Sequence, residues 1–251
     1  MIPLPDAFLA RPIAHRGYHD KSAGRVENSP ASFAAAIEAG YGIELDLQLS
    51  ADGVAMVFHD DLLDRLTTET GPVRDRPFAE LQRIVLMGGD DRIPTLEQVL
   101  AQVNGAVPLL IELKDQHGQM GDTDGTLEQA TGKALQSYDG PAALMSFNPH
   151  MIIRLNDMGS DRPLGLVSSA WRAGDEPQVP VDTRARLAGI PDFDAAGASF
   201  LSHHVTNLDN PRVEQLKAQG VPILCWTVRS AEQEAEARKV ADNITFEGYA
   251  A

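Results

Sequence analysis

Three acidic residues occupy equivalent places on two predicted strands. Glu44 and Asp46 are separated by one residue, and Glu112 has the same setting in Leu110-Ile-Glu-Leu-Lys114. Alternate residues of a strand share a face, so Glu44 and Asp46 point the same way. Ionised carboxylates facing a barrel interior repel each other unless a cation lies between them. The three acids therefore predict a site for Mg²⁺ or Ca²⁺, with solvated strand-end acids as the open alternative for the Glu44 and Asp46 pair alone.

Histidines and two basic residues add a second kind of chemistry. His15 and Arg16 close the first predicted strand, and Lys114 lies two residues after Glu112, so its side chain faces the same interior. A lone histidine at a strand end is more often structural than catalytic. Together with His59, however, His15 predicts proton exchange between the attacking and leaving oxygens of a phosphate that a cation and Arg16 neutralise.

The elements that position these residues alternate between short apolar runs and amphipathic helical patterns. This alternation is typical of βα units around a parallel sheet and predicts a (β/α)₈ TIM barrel, with an open doubly wound sheet as the alternative. Neither a G-x-G-x-x-G motif nor a P-loop opens a helix, which disfavours nucleotide binding. The predicted strands are Pro12 to His15, Gly42 to Asp46, Pro108 to Lys114, Ala142 to Phe147, Leu164 to Ser168, Ser199 to His203, Pro222 to Val228 and Asn243 to Phe246.

One segment departs from the alternation. The residues from Leu47 to Phe58 alternate around Asp52-Gly53, which predicts a β-hairpin. Folding this hairpin sets His59 opposite Leu45 and thus beside the acids of the preceding strand. We predict that about residues 47–90 form an insertion above the barrel mouth and that residues 1–251 form a single domain.

Composition narrows the classes of partner. The formal net charge is -15, and no Lys/Arg-rich stripe offsets it, so nucleic acid is an unlikely fit on electrostatic grounds. The N-terminus resembles neither a signal peptide nor a membrane anchor, which predicts a cytoplasmic protein. Cys225 is the only cysteine, which excludes an intrachain disulfide and predicts a buried, unreactive thiol. The oligomeric state cannot be predicted from the sequence.

An ordered series of motifs resembles the glycerophosphodiester phosphodiesterase family across nearly the whole chain. The first part of the series is Ala14-His-Arg-Gly17, Glu27-Asn28-Ser29, Ile43-Glu-Leu-Asp46, Asp52-Gly53, Phe58-His-Asp60 and Ile111-Glu-Leu-Lys114. It continues through Asp64-Arg-Leu-Thr-Thr68, Gly71, Ser146-Phe147, Leu164-Gly-Leu166 and Trp226-Thr-Val228.

The resemblance implies a TIM barrel with an inserted cap that hydrolyses small glycerophosphodiesters to glycerol 3-phosphate and an alcohol. It implies one divalent cation, Mg²⁺ or Ca²⁺, on three acids, with two histidines as general acid and base. Phosphate and pocket contacts complete the implied site. The implied residues are Glu44, Asp46 and Glu112 for the metal, His15 and His59 for proton transfer, Arg16 and Lys114 for catalysis and phosphate binding, and Trp226 for substrate binding. Phe147 is a further candidate for substrate binding, and a place in the core is the alternative for both aromatic residues.

Two departures from the family pattern bear on substrate preference. Arg229 stands where the family usually has Asn, and the last strand reads Ile244-Thr-Phe-Glu-Gly248 in place of a motif with Asp. Other histidines lack a comparable setting, although His204 is a candidate rim residue. Two other functions remain alternatives: a phospholipase D-like enzyme acting on lysophospholipids or sphingolipids, and a non-catalytic barrel that binds phosphate or metal.

Overall fold

The computed structural model describes residues 1–172, 174 and 177–251. Its helices and strands follow one another in the order expected of repeated βα units. The strands are β1 (Ile13–Ala14), β2 (Gly42–Leu49), β3 (Ala55–Val57), β4 (Leu109–Leu113), β5 (Ala142–Ser146), β6 (Leu164–Ser168), β7 (Phe200–His204), β8 (Ile223–Val228) and β9 (Asn243–Phe246). The α-helices are α1 (Ala7–Ala10), α2 (Pro30–Ala39), α3 (Phe78–Leu81), α4 (Leu96–Val103), α5 (Thr126–Leu135), α6 (Pro149–Asp157), α7 (Val181–Leu187), α8 (Pro211–Ala218) and α9 (Ala231–Ala237).

The sheet closes on itself. Within the described ranges, eight parallel strands run in the order β1-β9-β8-β7-β6-β5-β4-β2, and β1 also pairs with β2. This closure confirms the predicted (β/α)₈ TIM barrel and excludes the open doubly wound sheet. Strand β6 and strand β9 have the predicted bounds, whereas β1 is shorter and β2 extends three residues beyond the predicted end at Asp46.

Side chains alternate between the two faces of the barrel wall. On β2, Ile43, Leu45 and Leu47 pack outward with the helices, so Glu44 and Asp46 face the interior. An apolar cluster of the barrel interior includes Leu110, Met145, Phe200 and Leu224. Helix α1 adds Phe8 to this cluster, and Asn243 anchors the helix because its amide donates to the Phe8 carbonyl at 2.7 Å. Asp46 and Glu112 lie two residues further along β2 and β4 than Glu44 and Leu110, toward the carboxyl ends of the strands, where TIM-barrel sites lie.

The predicted hairpin is present and gives the expected register. Strand β3 pairs antiparallel with β2, with Leu47 opposite Val57 and Leu49 opposite Ala55. The Phe58 amide donates to the Asp46 carbonyl at 3.0 Å, so the pairing continues toward His59. Gly53 has φ +81° in the turn, a conformation that glycine adopts without strain.

The segment after β3 has its own small core. Phe58, Leu63, Leu66, Leu81 and Leu86 are among the buried side chains of this cluster, which lies over β3. Its one α-helix among the described residues is the single turn α3. Among the described residues, no helix combines the length and the apolar character that crossing a membrane requires.

Candidate active site

The carboxylates of the three predicted acids lie together in one buried cluster inside the barrel. Strands β2 and β4 are parallel neighbours with Asp46 opposite Glu112, so the barrel register brings the third acid beside the first two. One carboxylate oxygen of each residue lies within 4.8 Å of one from each of the others. The exposed fractions of Glu44, Asp46 and Glu112 are 2%, 1% and 6%. Such a cluster of buried oxygen donors fits a divalent cation of the hard type.

The charges around the acids are only partly balanced. Lys114 Nζ contacts Asp46 Oδ1 at 2.7 Å and Glu112 Oε1 at 2.6 Å, and Arg16 Nε lies 3.5 Å from Asp46 Oδ2. Although burial acts to raise the pKa of Asp46, these cations hold it well below its ordinary value. Burial and the charges of the other two acids raise the pKa of Glu44 well above its ordinary value. A divalent cation would relieve this repulsion, which is a second reason that the residues fit a metal.

The loop after β1 also holds the acids. The backbone amide of Arg16 donates to Glu44 Oε2 at 2.8 Å. The side-chain amide of Asn28 donates to Asp46 Oδ2, also at 2.8 Å. Arg16 and Asn28 both have φ +54°, so the backbone is bent at each of these contacts. Asn28 was part of the motif series in the sequence but received no role there.

The two predicted histidines line the same cavity as the acids, and each has a carboxylate partner. His15 Nδ1 lies 2.6 Å from Glu247 Oε2, and His59 Nδ1 lies 2.7 Å from Asp60 Oδ1. Burial lowers the pKa of His15 to about 4, so its imidazole is neutral at pH 7. In a neutral ring whose Nδ1–H donates to a carboxylate, Nε2 carries the lone pair that can accept a proton.

An arginine fixes each of the two carboxylates. Glu247 Oε1 accepts a hydrogen bond from Arg229 Nε and contacts Arg229 Nη2, both at 2.8 Å. Asp60 accepts from Arg65 through both oxygens, at 2.5 Å and 2.9 Å. The arrangement is therefore the same at both histidines, with an arginine bound to a carboxylate and the carboxylate bound to an imidazole. Arg229 and Glu247, the two departures from the family pattern, are the arginine and the carboxylate that hold His15.

Comparison with known proteins identifies the family. The family model described as "Glycerophosphoryl diester phosphodiesterase family" matches residues 15–243. The chain belongs to this family.

Similar proteins cover nearly the full chain. A glycerophosphodiester phosphodiesterase of Caldanaerobacter subterraneus is 28% identical over 92% of this chain and 91% of its own length. The Bacillus subtilis protein YhdW is 29% identical, with 89% and 88% covered. Among solved structures, a phosphodiesterase of Oleispira antarctica in complex with the product sn-glycerol-3-phosphate superposes with a TM-score of 0.77 at 24% identity, covering 96% of this chain and 94% of that one. This structural likeness supports the barrel fold.

In this family member, two aromatic side chains also line the cavity. The cavity has a volume of about 130 Å³, and Phe147 and Trp226 line it beside the histidines and acids. The Phe147 and Trp226 rings meet edge to face with centroids 5.3 Å apart. Trp226 Nε1 donates to the Ser202 carbonyl at 3.2 Å, which fixes the indole. His204, the suggested rim residue, packs its ring 4.7 Å from that of Trp226.

Arg65 links the inserted segment to the barrel loop that holds the acids. Its guanidinium donates to Glu27 at 2.7 Å and 2.9 Å, as well as to Asp60. Glu27 in turn accepts from Arg16 at 2.6 Å. Although burial acts to raise it, the two arginines lower the pKa of Glu27 to about 2, so this acid is ionised at neutral pH. In the sequence, Glu27 and Arg65 belong to motifs that resemble the family, but no local pattern assigns them a function.

We expect Arg65→Lys to lower kcat for a phosphodiester substrate by about 10-fold to 100-fold with little change in KM. A lysine keeps the charge but cannot present the planar fork that holds Glu27 and Asp60 at once. His59 would then lose the fixed direction of its ring. Steady-state kinetics test this expectation against Arg76→Lys, a matched change in the same segment at a residue that bonds Glu69. Equal kinetics for both variants would contradict the positioning role.

Proposed function

We propose that this chain hydrolyses glycerophosphodiesters to glycerol 3-phosphate and an alcohol, using one divalent cation and the histidine pair. One observation carries the proposal: His15 and His59 line a single cavity with the buried cluster of Glu44, Asp46 and Glu112. Binding alone has no need of two proton-transfer groups. Family membership and the names of the relatives support the substrate class, and the product seen in the Oleispira structure supports glycerol 3-phosphate.

Glu44, Asp46 and Glu112 would hold the cation, Mg²⁺ or Ca²⁺, which when bound neutralises charge on the phosphodiester and polarises its phosphorus–oxygen bonds. Lys114 donates two of its three N–H groups to Asp46 and Glu112, which leaves one N–H for a phosphate oxygen. Arg16 lines the same wall. Because the protein has a formal net charge of -15, an anionic ester is attracted only locally, by the cation, Lys114 and Arg16.

The imidazoles perform the proton transfers. One ring accepts the proton of the attacking oxygen at Nε2, and the other donates a proton to the departing alcohol oxygen. The carboxylate behind each ring, Glu247 or Asp60, stabilises the imidazolium that forms during the cycle. Phe147 and Trp226 exclude water from one side of the ester and contact the alcohol portion.

The experiment compares glycerophosphocholine with lysophosphatidylcholine, each with Mg²⁺, with Ca²⁺ and with a chelator. We expect release of glycerol 3-phosphate from glycerophosphocholine with a divalent cation and none with the chelator. Turnover of the lipid alone would overturn the proposal in favour of a phospholipase D-like activity. Turnover that persists in the chelator would overturn the metal requirement, and binding of product without turnover of either ester would indicate a non-catalytic barrel.

A further inference from the structure

A second group of metal-ligating atoms lies beside the acid cluster. It consists of His15 Nδ1, His19 Nε2 and a carboxylate oxygen of Glu247, all within 4.8 Å of one another. Glu247 Oε2 is the shared atom, at 2.6 Å from the His15 nitrogen and 3.6 Å from the His19 nitrogen. Among the described residues, the buried His19 Nε2 has no hydrogen-bond partner. A ring nitrogen that faces a carboxylate oxygen without bonding it is what a bridging cation would satisfy.

The fold brings these three side chains together from opposite ends of the chain. Strands β1 and β9 are parallel neighbours, with Ala14 opposite Phe246, so His15 and Glu247 follow as the next pair. A tight turn at Gly17, with φ +79°, then returns the chain over the strand end. The His19 amide donates to the Gly17 carbonyl at 2.9 Å within this turn. A side chain at Gly17 would collide with Ser32, because an added Cβ lies 2.4 Å from Ser32 Oγ.

Arg229 orients the carboxylate of this group. It binds Oε1 of Glu247, so the other oxygen, Oε2, is the one presented to the two imidazoles. Carboxylates that ligate a metal are usually held by hydrogen bonds of this kind. The positive charge of Arg229 also opposes a cation nearby, so we expect binding in the micromolar range, not the nanomolar range of closed structural zinc sites.

We propose that His15, His19 and Glu247 form a second cation site for Zn²⁺, and that Zn²⁺ bound there inhibits hydrolysis. Two imidazole nitrogens with one carboxylate oxygen suit a borderline transition metal. Mg²⁺ and Ca²⁺ prefer oxygen ligands and so select the acid cluster. The two sites thus differ in ligand type, and Zn²⁺ can bind at one while Mg²⁺ occupies the other.

Inhibition follows from the tautomer of His15, and this part of the inference rests on the proposed function. Without Zn²⁺, the Nδ1–H of His15 donates to Glu247, and Nε2 offers its lone pair to the cavity. A cation on Nδ1 requires that nitrogen's lone pair, so the ring proton moves to Nε2. The imidazole can then no longer accept a proton at Nε2, whichever of the two transfers it performs. Each catalytic cycle needs that step once.

Two measurements test the site, one of which is independent of turnover. In the first, Zn²⁺ is titrated into the glycerophosphocholine assay at saturating Mg²⁺ with wild type, His19→Gln and His150→Gln. His150 pairs with the exposed Asp122 and serves as the matched control. We expect unchanged basal turnover in both variants and a half-inhibitory Zn²⁺ concentration that rises at least ~10-fold only in His19→Gln. In the second, Co²⁺ replaces Zn²⁺ as a probe at saturating Mg²⁺, and its visible absorption bands are recorded.

The cobalt bands should appear with wild type and be lost in His19→Gln. If wild type and His19→Gln were inhibited at the same Zn²⁺ concentration, the metal would be acting at the acid cluster and the inference would be wrong. Absence of both cobalt bands and zinc inhibition in wild type would also overturn it. If glycerophosphocholine were not hydrolysed at all, the proposed function would fail, while the cobalt comparison would still decide whether the second site exists.

Discussion

Turnover of glycerophosphocholine should fall by about 100-fold to 10,000-fold when either His15 or His59 is replaced by alanine. Both rings line the cavity that holds the buried acids, and each has its Nδ1 atom bound to a carboxylate. Each turnover requires one proton accepted and one donated, so loss of either ring removes a step that the other ring cannot perform. Steady-state rates with saturating Mg²⁺ measure the effect.

Two further measurements separate catalysis from folding. Titration calorimetry with Mg²⁺ should give the same affinity in both variants and in wild type, since neither ring belongs to the acid cluster. The double variant should be about as slow as the slower single variant, because residues that act in one cycle have strongly non-additive effects. A changed Mg²⁺ affinity in the single variants, or additive losses in the double variant, would contradict proton transfer by this pair. A loss below about 10-fold in both single variants would also contradict it.

The acid cluster and His59 could be predicted because local rules fix their positions. The alternation of β2 places Glu44 and Asp46 on one face, and the Asp52-Gly53 turn fixes the hairpin register that returns His59 to them. Glu112 required one further assumption, that the strand containing it is the parallel neighbour of β2. The barrel topology supplied that neighbour. The catalytic and metal-binding roles of these residues remain predictions.

The carboxylate partner of His15 could not be predicted, because it depends on contacts between distant parts of the chain, whereas Asp60, the partner of His59, is its neighbour in the sequence. Glu247 reaches His15 only when β9 closes the barrel beside β1, a separation of 232 residues. The same closure brings Glu247 Oε2 to 3.6 Å from His19 Nε2. Arg65 lies in the inserted segment, whose approach to Glu27 depends on how its small core packs over β3. Local patterns carry no information on such docking.

Buried Cys225 shows where a simple rule was sufficient. The thiol is buried between the barrel and its helices, as its apolar surroundings in the sequence predicted, and burial raises its pKa to about 12. It therefore stays protonated and unreactive at neutral pH. The charged residues needed more than burial rules, because Glu44 and Asp46 are equally buried and yet have opposite pKa shifts.

The opposite pKa shifts of Glu44 and Asp46 predict that replacing each carboxylate by its amide changes the stability of the metal-free protein in opposite directions. Because burial and its acidic neighbours raise the pKa of Glu44, the folded state loses stability as the pH rises from the unfolded value of about 4.5 through the raised value. Glu44→Gln removes this loss, and we expect the free energy of unfolding to rise by about 1–2 kcal/mol at pH 8. Its side-chain oxygen can still accept from the Arg16 amide.

Asp46→Asn should have the opposite effect. The lowered pKa of Asp46 means that its charge stabilises the folded state at every pH above its unfolded value, through Lys114 at 2.7 Å and Arg16 at 3.5 Å. The neutral amide leaves these buried cations with less compensation, which costs about 3–5 kcal/mol. Urea unfolding in a chelator from pH 5 to pH 8 measures both changes and their dependence on pH.

Both substitutions should abolish turnover and weaken Mg²⁺ binding in calorimetry. The two variants thus lose activity alike, while the free energy of unfolding rises in Glu44→Gln and falls in Asp46→Asn. This divergence is specific to a cluster of mutually repelling acids in which one member is tied to the local cations. In a cluster that served only to stabilise the barrel, both substitutions would lower stability. Two results would contradict the idea that repulsion among the three carboxylates selects a divalent cation. One is that Glu44→Gln destabilises the metal-free protein at pH 8. The other is that this variant binds Mg²⁺ as tightly as wild type.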